Sequence, residues 1–123
     1  MKIEMTIEEM KQVKEVWKGY FKMAKNNLKH VQSIEETKEN RWEIKTLEVE
    51  YAFFMDRIKN IVKIYSAMIC DMENGDLEVE DFANAMKVLQ ELNNELHKEL
   101  KKQTFKELNM KYVESLRPTK VIL

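Results

Sequence analysis

The chain has almost nothing with which to make turns: two glycines and one proline in 123 residues. A sheet protein needs a turn every few residues, and Glu, Lys, Leu and Met, all good helix formers, dominate instead. The composition therefore predicts an all-α fold. A single cysteine, Cys70, excludes an internal disulfide and any multi-cysteine metal site, and suits a reducing compartment. The longest apolar runs, such as Tyr51 to Met55, are far too short to span a bilayer, and the first residues lack a signal-peptide apolar core. The expectation is a cytoplasmic protein with no membrane partner.

Charge of one sign is missing too. With 21 basic and 22 acidic residues, the formal net charge of -1 argues against a wholesale polyanion binder and leaves only local patches to consider. Arginine is scarce beside lysine, and Asn and Ile are frequent, as an A/T-rich coding sequence produces; a low-GC bacterium or one of its mobile elements fits this composition. At this length the expectation is one domain over residues 1–123, burying roughly two-thirds of its unfolded surface.

What is present is helical periodicity. From Ile44 to Met72, at about 100° per residue, Ile44, Leu47, Tyr51, Phe54, Met55, Ile58, Ile61, Val62, Tyr65, Met68, Ile69 and Met72 share one broad face, with Phe53 and Ile64 beside it. An arc this wide needs cover from two neighbours, which makes this the central helix of a bundle. Upstream, Thr6 and Glu9 have capping-box spacing and open a helix over about 7–31. Its expected core face is Met10, Val13, Trp17, Tyr20, Ala24, Leu28 and Val31, widened by Val16, Phe21 and Met23, with Gly19 permitting close approach of a neighbour.

Ser33 and Glu36 repeat the capping-box spacing, so the second helix is expected over about 34–73, bending near Asn40 or projecting beyond the core, and ending where Asn74 and Gly75 offer a left-handed residue. A third stripe of Phe82, Met86, Leu89, Leu92, Leu96 and Leu100 is close to a coiled-coil heptad over about 79–102. Thr104 with Glu107 matches a capping box again, which predicts a kink or break near Thr104 and a last segment over about 105–116, before Pro118 and an apolar tail at 119–123. The expected architecture is an antiparallel bundle of three long helices. Its excess apolar surface also predicts a homodimer.

Two charged surfaces are candidate partner-binding sites. Lys11, Lys14, Lys18, Lys22, Lys25 and Lys29 fall within about 80° of the first helix's circumference, a track for nucleic-acid phosphate or for an acidic protein surface. The plainer reading is a solvated face, and the lack of arginine, with its bidentate grip, weakens the phosphate case. Glu73, Asp76, Glu78, Glu80 and Asp81 form an acidic tip between the second and third helices, read either as a dock for a basic partner or as a solvated turn with acids favoured at a helix start. As a calcium loop from Cys70 to Asp81 it would carry Cys70 and Met72 at ligand positions that need oxygen.

His30 and His97 belong to no Glu-x-x-His pair, since Asn27 and Asn94 stand where the glutamates would be. Cys70 has Lys63 and Ser66 near it in sequence but no histidine aimed at it, and two glycines make no phosphate loop. These patterns point to no catalytic residue, metal or cofactor. They favour a protein-protein interaction module, an adaptor or a small inhibitor of a larger protein that a mobile element or phage could encode, with nucleic-acid binding along the lysine stripe as the alternative.

Overall fold

In the computed structural model, which describes residues 3–116 and the side chains of residues 3–98, three α-helices follow one another: α1 (Ile7–Ser33), α2 (Arg41–Glu73) and α3 (Val79–Leu116). No β-strand occurs among the described residues. The helices form an antiparallel bundle with α2 in the middle. Lys11 near the start of α1 meets Glu73 at the end of α2, and Arg57 in mid-α2 meets Glu95 of α3 at 2.9 Å, which fixes the register on both sides. Arg57 also stacks over Phe53, 4.4 Å from the ring centre, so its apolar plane covers hydrocarbon while its Nε–H serves the carboxylate.

The arc on α2 is the core. Ile44, Leu47, Tyr51, Phe54, Ile58, Ile61, Tyr65, Met68 and Ile69 are buried, and Met55, Val62 and Met72 are half-buried at its margins. The core has two parts. One, from Phe54 to Ile69, is shared with Met10 and Ala24 of α1 and with Phe82, Leu89 and Leu96 of α3, which recur every seven residues. The other, Val31, Ile34, Ile44, Leu47 and Tyr51, closes the end of the α1–α2 hairpin.

At the start of α1, Thr6 accepts from the Glu9 backbone N–H at 3.1 Å and its hydroxyl donates to the Glu9 carboxylate at 3.2 Å. Past the end of α2, Gly75 is left-handed at φ 73°. Its N–H donates to the Met72 carbonyl and that of Asp76 to the Asp71 carbonyl, the paired bonds of a Schellman turn.

The second helix starts at Arg41, not at Ile34. Ile34 is extended and 2% exposed, packed into the hairpin-end cluster, so burying it takes the chain out of helical geometry. The Ser33 hydroxyl donates to the His30 carbonyl at 2.6 Å and so serves the end of α1 instead of capping a new helix. The box that does form is Thr37 with Asn40: Asn40 Oδ1 accepts from the Thr37 N–H at 2.7 Å, and Thr37 Oγ1 accepts from the Asn40 N–H at 3.3 Å. The question of a bend near Asn40 resolves as a loop.

Three further expectations are corrected. The third helix is continuous from Val79 to Leu116, so no break occurs near Thr104: no proline or glycine lies in that stretch, and Thr-x-x-Glu spacing inside a helix finds its N–H groups already bonded four residues back. The apolar tail lies outside the described residues. Gly19 approaches nothing, since a Cβ there would have open space within 4 Å. On α1, Tyr20, Val16 and Met23 are exposed at 43, 55 and 60%, and Phe21 takes the inward place instead.

This last difference has a structural cause. α1 packs closely along α2, α3 packs on α2 less extensively, and α1 and α3 scarcely meet, so among the described residues no helix packs on the flank of α1 that carries Tyr20.

Candidate functional site

The lysine stripe runs down the other flank of α1, the one that turns toward α2. Lys14 is half-buried, and Lys11, Lys18, Lys22, Lys25 and Lys29 are exposed. Two of the six are answered by acids: Lys11 lies 3.9 Å from Glu73, and Lys18 lies 3.5 Å from Glu15 within its own helix. Both pairs are about half exposed, so they gain little in water.

Between α1 and α2 a groove of about 370 Å³ opens beside the stripe, lined by Lys18 and Phe21 of α1 and by Lys59, Val62 and Lys63 of α2. The half-buried Phe21 and Val62 make an apolar floor. Lys18 stands on one wall and Lys59 with Lys63, one turn apart, on the other, and lysine stems extend the hydrocarbon while the ammonium groups stay wet. Chemically the groove can take an apolar group whose flanks carry negative charge. Its lining holds neither carboxylate nor imidazole.

Lys59 and Lys63 are the functional candidates that sequence reasoning missed. Their four-residue spacing next to Val62 was readable, but it acquires meaning only when the α1–α2 register brings Lys18 opposite them.

The acidic tip is less of a unit. Glu73 closes α2 and is engaged by Lys11; Asp76 and Glu78 are exposed in the connection, and Glu80 and Asp81 occupy the first turn of α3. Acids at a helix start are stabilised by the dipole without any partner. Because α2 continues to Glu73 and α3 starts at Val79, only residues 74–78 are non-helical, and no twelve-residue calcium loop forms.

Among the described residues no three His, Cys, Asp or Glu side chains gather as a metal site. His97 is exposed on α3, and His30 is exposed in the last turn of α1, where a positive charge would face the negative helix end. Cys70 is exposed, with the Asn74 amide 3.8 Å from its sulfur. No helix, among the described residues, is long and apolar enough to cross a membrane. Compared with known proteins, the chain matches no family model, and no curated protein or solved structure is significantly similar to it.

Proposed function

We propose that this protein is a non-catalytic binding module that docks an acidic, amphipathic segment of a larger protein in the groove between α1 and α2. One observation carries the reading: an apolar floor, Phe21 and Val62, bordered by ammonium groups from two helices, Lys18, Lys59 and Lys63. A helix laid in a groove is held by apolar anchors at one face and steered by charge at the rims, and this lining supplies both. Lys22 and Lys25 continue the positive border along α1. An adaptor or a small inhibitor works this way, by occupying a surface of its target. The acidic tip has no place in this reading: Glu73 is engaged by Lys11, and Glu80 and Asp81 sit at a helix start.

Nucleic acid is the weaker reading. An apolar floor offers nothing to a phosphate, and lysine gives point charges without arginine's bidentate fork. The setting we assign is the cytoplasm, where the exposed thiol of Cys70 stays reduced.

The test is a photo-crosslinker at Phe21 in the native host, with the captured segment identified by mass spectrometry. The proposal expects one target, crosslinked through a stretch alternating acidic and apolar residues, and loss of capture when Lys18, Lys59 and Lys63 are changed to Glu. Capture unaffected by those changes would sink it. Binding of a fluorescent DNA duplex or RNA strand with steep salt dependence would transfer the stripe to the nucleic-acid reading.

A further inference from the structure

We infer that the opposite groove, between α1 and α3, is where two copies of this chain meet. Because α1 and α3 each pack on α2 and scarcely on each other, a cavity of about 550 Å³ lies between them. Ile61 and Tyr65 of α2 form its base, Trp17 one wall, and Met86 and Leu89 the other. Along its α1 edge runs a ridge of Val16, Tyr20 and Met23, all exposed, with Trp17 and Tyr20 packed edge to face at 5.5 Å. Exposed aromatic and Met side chains beside an apolar hollow are the composition of an interface core.

Charge selects the occupant. In a chain with 21 basic and 22 acidic residues, the ridge is uncharged, and the cavity lining includes Gln90 and Asn93, with Lys87 as its charged member. A face so poor in charge does not repel its own copy, whereas the lysine-bordered groove on the other side of α1 does. Amides both donate and accept, so Gln90 and Asn93 can pair with the same residues of a second molecule. Ridge and hollow lie side by side on one protomer. A two-fold axis therefore seats each ridge in the other's hollow and closes the assembly at two.

Sedimentation of the full chain from low to tens of micromolar tests this. The expected result is a species of twice the 14.8 kDa chain mass. Val16→Lys with Met23→Lys should weaken the dimer at least about thirtyfold, as loss of a central anchor pair does, while circular dichroism stays at wild-type values and the unfolding midpoint matches that of wild type diluted to monomer, because both positions are exposed. In a Trp42→Phe background, Trp17 emission should shift to the blue as protein concentration rises. Lys59→Glu with Lys63→Glu should leave the dimer intact, which separates this face from the proposed docking groove. A wild-type protein of single mass throughout, a dimer indifferent to the Val16 and Met23 changes, or one lost with Lys59 and Lys63 would overturn the inference.

Discussion

Thr37 and Asn40 each bond the other's backbone N–H through a side-chain oxygen, and the Asn40 amide nitrogen also donates to the Glu35 carbonyl at 2.9 Å. Asn40 is 1% exposed, so the α1–α2 connection is held by a buried side chain that satisfies two backbone groups, the Thr37 N–H and the Glu35 carbonyl. Asn40→Ala should lower stability by about 2–3 kcal/mol, since it leaves buried polar partners unmatched, whereas Thr37→Ala removes only the acceptor of the Asn40 N–H and should cost about 1 kcal/mol. Urea unfolding of the two variants checks the order; equal losses would mean that the buried amide is not the holding element.

The two glycines should respond in opposite directions. Gly19 lies inside α1 with open space where a Cβ would stand, and its φ is not positive, so Gly19→Ala should stabilise the protein by roughly 0.5–1 kcal/mol. Gly75 is held at φ 73° by the turn that ends α2, and Gly75→Ala should cost about 1 kcal/mol although nothing obstructs its side chain. Thermal unfolding of both variants, compared at one pH and ionic strength, tests whether conformation or packing governs each site.

The periodicity of the chain disclosed the inward arc of α2 from Ile44 onward and the seven-residue recurrence of Phe82, Leu89 and Leu96, because burial on a helix repeats with its turn. It did not separate Tyr20 from Phe21. Both border the apolar face of α1, and which one turns inward depends on the flank that a neighbouring helix covers, a property of tertiary arrangement. The same limit hid the docking groove: Lys18 was visible as part of a stripe and Lys63 only as a neighbour of Cys70, while their meeting across Phe21 and Val62 depends on helix register. Boundaries failed for a local reason. Ser33–Glu36 and Thr104–Glu107 carry the spacing of a cap, but Ile34 is extended so that no helix starts after Ser33, and Thr104 stands inside α3, where the N–H groups are already bonded. The working box, Thr37 with Asn40, uses an amide in place of the usual Glu or Gln.

Tyr65 sits at the base of the α1–α3 cavity, 7% exposed, and burial raises its phenol above the ordinary value of 10.0. Above pH 10.0 the unfolded chain gives up this proton before the folded one does, so the folded state binds more protons and loses stability as pH rises toward the raised value. Below pH 10.0 both states hold the proton, and the group contributes no slope. Stability measured through this alkaline window should fall less steeply in Tyr65→Phe than in wild type. An identical slope would show that the phenol ionises as readily in the fold as in water.

A lysine-bordered groove carries a stability cost of its own, and that cost is measurable without knowing the partner. Lys59 and Lys63 stand one turn apart on α2 with Lys18 across the groove, so like charges face one another where the floor is apolar. Lys63→Glu replaces that repulsion with attraction toward Lys59 and Lys18. It should stabilise the free protein by a few tenths of a kcal/mol, roughly 0.3–0.8, at low ionic strength. In 1 M salt, where the screening length is about 3 Å, the gain should vanish. Lys45→Glu, far from the groove and 4.0 Å from Glu36, should instead be neutral or mildly destabilising under the same conditions. If Lys63→Glu gains nothing at low salt, the three ammonium groups do not share a field, and the electrostatic half of the docking proposal loses its basis.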